Sequence, residues 1–205
     1  MLSLGPGTTA LGQVQAWNPD PLGRIRILLL ARVHPRKGQV EFLRACGMLR
    51  KEERQKLVVQ IAGTGLPEHL LAVQRAAKVQ DVTVEMLGEI ADEDLPTIYA
   101  QCDLYALTPV TLDRSVEGFG MTFLEAGAHG KAVIGYRSGG VSEAVMDGVT
   151  GCLVDEGDIE GLAAVIRRLV NDEDLRRRMG AASLERARSR TWERVAAEME
   201  AGWTD

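Results

Sequence analysis

From residue 24 onward the chain alternates short apolar runs with longer amphipathic stretches. Runs at 25–31, 57–62, 82–87, 104–107, 132–135 and 151–154 have strand length and little polar alternation. That is the pattern of parallel strands covered on both faces. Between them, 39–50, 67–79, 92–102, 121–129 and 140–146 carry helical spacing. Pro67 sits at a first-turn position, Asp92-Glu93-Asp94 opens a helix, and Gly130 directly follows one. Strict β-α alternation predicts an α/β fold: a Rossmann-like, doubly wound, parallel six-stranded sheet with helices on both faces. After residue 154 the pattern is wholly helical, at 159–170, 172–188 and 191–203, which predicts a helical C-terminal tail.

Residues 1–23 hold four glycines and three prolines with little apolar periodicity, the composition of a linker or N-terminal arm. Residues 24–205 then form one domain, as a length of 205 suggests. A formal net charge of −5 gives no global attraction for nucleic acid or an anionic membrane, so an anionic ligand must be met locally. The arginines of the tail are interleaved with Glu and Asp and read as a solvated helix face. Cys46, Cys102 and Cys152 lie far apart among apolar residues, which argues against zinc or a disulfide framework and for a reducing cytosol. No targeting segment or membrane-spanning run is visible.

In open α/β sheets ligands bind beyond the carboxyl ends of the strands. After the first run, Arg32, Arg36 and Lys37 lie just before a helix start, a phosphate site by charge and position. Gly63-Thr64-Gly65 after the second run begins like a dinucleotide fingerprint, but Glu68 stands where its third small residue belongs, so it reads as a tight turn. After the fourth run, Glu117-Gly118-Phe119-Gly120-Met121-Thr122 leads into a helix bearing Glu125. Its backbone N–H groups can meet a diphosphate. Carboxylates repel phosphate, so Glu117 and Glu125 are expected to face neutral hydroxyls, which a sugar nucleotide supplies on its ribose and its hexose. Arg137-Ser138-Gly139-Gly140 forms a second glycine-rich loop at the same edge.

Arg32 with Lys37-Gly38, Gly63-Thr64-Gly65, Glu117-Gly118-Phe119-Gly120 with Glu125, and Gly139-Gly140 with Glu143 resemble, in order, the donor-binding C-terminal domain of retaining GT-B glycosyltransferases of family 4, the glycosyl transferases group 1. The resemblance runs from about Arg24 to Trp192. It implies one half of a GT-B architecture that transfers a hexose from a nucleoside-diphosphate sugar to an acceptor hydroxyl. It implies no cofactor and no metal. The acceptor is expected on a separate N-terminal domain of the same enzyme, through which any membrane contact would run, at the inner face of a membrane. The implied catalytic residues are Arg32 and Lys37, which neutralise the diphosphate and leaving group, and Glu117, which orients the sugar. Implied donor contacts are Gly63, Ile90, the backbone of Phe119, Gly120, Met121 and Thr122, and Glu125 on the ribose, with Asp103 as a structural acid before the fourth strand. Ala31, His129, Ala132 and Ser142 depart from common family residues without removing a charged contact. His129, at a helix end, is expected to make a helix-dipole contact.

Two other classes stay open. A stand-alone nucleotide-sugar binding module would share the site without catalysis. A nicotinamide-dinucleotide domain would need a complete glycine fingerprint and an acidic ribose residue after the second strand.

Overall fold

The computed structural model describes residues 17–112, 117–118 and 120–189. The expected helix at 191–203 lies outside them. Six parallel strands form one sheet: β1 (Ile25–Leu30), β2 (Leu57–Ala62), β3 (Val84–Gly88), β4 (Leu104–Leu107), β5 (Ala132–Tyr136) and β6 (Gly151–Val154). Their order is β3-β2-β1-β4-β5-β6, so the chain reverses direction of growth between β1 and β4. The fold is the Rossmann-like α/β sheet that the alternation predicts.

Alternate residues of each strand feed two cores, as the two-residue pleat period requires. Ile27, Leu29, Val59, Ile61, Leu104, Ala106, Ile134 and Cys152 point to one face, against α1 (Gln39–Gly47), α3 (Pro67–Gln80) and α7 (Ile159–Asn171). Leu28, Tyr105, Leu107, Val133 and Leu153 point to the other, against α4 (Leu95–Gln101), α5 (Met121–Ala128) and α6 (Val141–Ala144). The last described helix, α8 (Glu173–Ser189), lies along α5 and β5. All three cysteines are free and buried.

Two boundaries depart from the sequence pattern for local reasons. The stretch 39–50 is not one helix: α1 ends at Gly47, Arg50 is extended, and a short α2 (Lys51–Arg54) starts again. Glu53 holds that restart, its Oε2 accepting the Arg50 backbone N–H at 2.9 Å. The third strand begins two residues late because Asp81 adopts a left-handed conformation (φ 52°) and the Val82 N–H bonds back to Ala77 O at 3.0 Å, ending α3.

Residues 17–23 lie against the domain. The Trp17 indole donates to Asp103 Oδ1 at 3.1 Å, and Asp20, buried, takes both the side chain and the backbone N–H of Arg24. Asp103 Oδ2 also accepts the Arg26 N–H at 2.8 Å, joining β1 to the residue before β4.

Candidate functional site

The reversal between β1 and β4 makes the carboxyl ends of these two strands the switch point, the usual ligand position in an open sheet. From β1 the chain runs through Arg32 into a 3-10 turn, Pro35–Lys37, capped by His34, whose Nδ1 accepts the Arg36 N–H at 3.1 Å. Gly38 ends the turn with φ 70°, and a Cβ there would stand 1.8 Å from Thr108 O, so only glycine fits. The loop after β4 is stitched onto this turn: Thr108 Oγ1 donates to Gly38 O at 2.9 Å, and Val110 N–H to Arg36 O at 2.8 Å.

These connections bring together charges that lie far apart in sequence. Lys37 Nζ is 2.6 Å from Glu117 Oε2, and Arg36 Nη1 is 3.3 Å from the same oxygen. All three side chains are mostly buried, with 14–16% of their surface exposed. Glu117 O in turn accepts the Gly140 N–H at 3.1 Å, so the β5–α6 loop meets the same point. Glu117 therefore meets two cations, a pairing that the expectation of neutral hydroxyls does not include. Beside a turn carrying two cations, a carboxylate gains more from pairing with them than from remaining unpaired.

Arg32 is exposed, and among the described residues it pairs with no carboxylate. Arg36, which the sequence offered only as one more cation in the loop, takes the place beside Lys37. Among the described residues no group of three His, Cys, Asp or Glu side chains is arranged to hold a metal ion.

Gly120, Met121 and Thr122 form the entry to α5, with Gly120 as its N-cap, at the same edge of the sheet. Thr122 reaches the Tyr105 hydroxyl. Phe119 lies outside the described residues. Glu125, one turn into α5, is buried. Its Oε2 accepts the Tyr99 hydroxyl at 2.7 Å, and its Oε1, also buried, has no hydrogen-bond partner among the described residues. Burial raises the Glu125 carboxyl above its ordinary range, and the Tyr99 hydrogen bond offsets part of that rise.

Gly63 (φ 129°) sits where β1, β2 and β3 end. A Cβ there would meet Ala31 O at 2.2 Å, and its N–H donates to Gly88 O at 2.6 Å, so its immediate neighbours are backbone. Ile90 is half-buried against the α4–α6 core. His129 does not serve the helix dipole. Burial lowers it to about 4, leaving it uncharged near neutral pH, and it stacks on Tyr99 at 5.5 Å.

Residues 16–186 match the family described as Glycosyl transferases group 1. The chain belongs to this family. It is 31% identical over 198 residues to the GDP-mannose-dependent alpha-(1-6)-phosphatidylinositol monomannoside mannosyltransferase of Mycobacterium tuberculosis, covering 89% of this chain and 51% of that protein. It is 30% identical over 191 residues to the D-inositol 3-phosphate glycosyltransferase of Corynebacterium diphtheriae, covering 90% and 43%. The chain thus spans about half the length of the curated relatives it matches. Among solved structures, Anabaena Alr3699/HepE in complex with UDP and glucose aligns at a TM-score of 0.74 and 25% identity, over 88% of this chain and 48% of that one. The C-terminal domain of the glycosyl transferase group 1 protein LpcC of Francisella tularensis shares the fold, at a TM-score of 0.69 and 20% identity, and 96% of it is covered.

Proposed function

We propose that this chain is the donor-binding part of a retaining hexosyltransferase that uses a nucleoside-diphosphate sugar. The observation that carries the reading is the cluster of Lys37, Arg36 and Glu117 at the β1/β4 switch point, beside the entry to α5. Lys37 and Arg32 bind the diphosphate, aided by the first N–H groups of α5, and neutralise the charge that builds on the leaving group. A phosphate competes with Glu117 for Lys37. When it wins, Glu117 is free to accept a hydroxyl of the sugar, while Glu125 takes the ribose.

The relatives support a hexose donor, since one is named for GDP-mannose and the Anabaena protein was solved with UDP and glucose. They do not agree on a base. The resemblance to family 4 is what supports retention in this reading. Two basic side chains at the diphosphate stand in for a divalent ion, so the reading is metal-independent.

Transfer also requires an acceptor hydroxyl held against the anomeric carbon, and such positioning is worth about 7–11 kcal/mol of a barrier. That task belongs to a separate N-terminal domain. The test is calorimetry of the chain with uridine, guanosine and adenosine diphosphates, followed by turnover assays with the donor that binds. Binding of one diphosphate without useful transfer, and transfer on adding the N-terminal half of a full-length relative, is the expected result. Absence of binding to all three at millimolar ligand overturns the donor site, and robust turnover by the chain alone overturns the division of labour.

A further inference from the structure

We propose that Tyr99 is a positioning residue for Glu125: its hydroxyl holds Oε2 and leaves Oε1 as the acceptor for a donor hydroxyl. This rests on the reading of Glu125 as the ribose contact. Three observations carry it. The Tyr99–Glu125 hydrogen bond is short, 2.7 Å, and both residues are buried. Among the described residues Glu125 Oε1 is a buried acceptor without a hydrogen-bond partner, a costly arrangement that a binding role explains. And the Tyr99 ring is held on two sides, packed on Tyr105 at 5.9 Å and stacked on His129 at 5.5 Å with an interplanar angle of 16°. A hydroxyl on a ring so confined fixes one carboxylate oxygen, and the rotation of the carboxylate with it.

The hydroxyl also works against the rise that burial imposes on the Glu125 carboxyl. Tyr99 from α4 and Tyr105 from β4 face this group; Cys102, just past α4, and His129, just past α5, border Tyr99, with Lys131 beyond His129. Burial keeps the tyrosines and Cys102 protonated, with Cys102 raised to about 12, and keeps His129 uncharged near neutral pH. Tyr99 is thus the neutral donor that favours the ionised carboxylate against burial. Without its hydroxyl, Glu125 keeps its proton to higher pH.

The experiment uses the whole chain with Tyr99→Phe, which retains the ring and its packing. The Glu125 carboxyl is titrated by carbon NMR. Affinities are measured calorimetrically for uridine and guanosine diphosphates and for their 2′,3′-dideoxy counterparts, from mildly acidic to neutral pH. Tyr99→Phe is expected to move the Glu125 titration upward and to weaken the ribonucleotide on the order of tenfold, the scale of one hydrogen bond to a charged group. The dideoxy ligand should be unaffected. In a Glu125→Gln background the same change should have no effect on ribonucleotide affinity. An unmoved titration, or equal weakening of both ligands, overturns the proposal. A parent chain that does not distinguish ribose from dideoxyribose overturns the ribose role of Glu125 instead, and the NMR titration still decides whether Tyr99 governs that carboxyl.

Discussion

Glu117 and Glu53 are both carboxylates held by two cations, yet they do opposite things. Glu53 uses both oxygens: Oε1 accepts from Arg50 and Asn171, and Oε2 from the Arg50 backbone N–H and Arg167. It is saturated and ties α2 to α7. Glu117 receives Lys37 and Arg36 on Oε2 alone, and Oε1 has no partner among the described residues. Its cations come from one loop and its backbone from another. A saturated carboxylate holds a fold together, whereas one with spare capacity can exchange partners, and exchange is what a binding site requires.

The largest effect should come from breaking the functional cluster at its cation. Lys37→Ala should weaken nucleoside diphosphate binding by about 1.5–3 kcal/mol, the scale of charge-assisted hydrogen bonds, and leave nucleoside binding nearly unchanged. Calorimetry with both ligands checks this, and equal losses contradict the role.

Breaking the structural cluster should be felt in stability. Glu53→Gln loses part of the α2 cap, a change of about 0.5–2 kcal/mol in chemical denaturation. The effect depends on pH with a definite sign. The Arg50 hydrogen bond, with help from Arg167, lowers the Glu53 carboxyl from 4.5 to about 2. The stability it supplies is therefore complete above pH 4.5 and lost as pH falls through 2. The difference between parent and Glu53→Gln should shrink over that interval, and a constant difference counts against the ionic account.

Smaller, and opposite in sign to Lys37→Ala, is Glu117→Gln. Removing the competing charge should tighten diphosphate binding by about 0.5–1.5 kcal/mol, the net scale of one hydrogen bond. Any turnover assayed with an acceptor domain should fall. Weaker diphosphate binding would show that Glu117 supports the phosphate site rather than competing for it. The smallest expected effect is none: excess chelator should leave diphosphate affinity unchanged, and a strict need for magnesium or manganese would sink the metal-independent reading.

The sheet was legible because a strand covered on both faces leaves an unbroken apolar run; Leu57–Ala62 and Leu104–Leu107 begin and end where their composition does. The break after Gly47 and the late start of β3 were not, because each depends on one backbone geometry that apolar spacing does not encode. The site was half legible. Loop position and residue type marked Lys37, Glu117 and Glu125. Nothing in periodicity says that Lys37 and Glu117, 80 residues apart, share an oxygen, or that Arg36 rather than Arg32 joins them. Tyr99 was missed because it sits in α4 among ordinary core positions, and only its distance to Glu125 reveals it. A tyrosine buried in a helix ahead of an acidic loop helix is the one signal that could have found it.

The pairing of β1 with β4, at Ile27 with Leu104 and Leu28 with Tyr105, is the seam on which the two halves of the sheet meet. Lys37 leaves one side of that seam and Glu117 the other. A ligand that spans them rewards only chains in which the seam has closed, so its binding would clamp the assembly. Midpoints of thermal unfolding should climb with the logarithm of nucleotide concentration once the site is saturated. A chain opened at the seam, with both halves otherwise intact, would give up that dependence before it lost its helices.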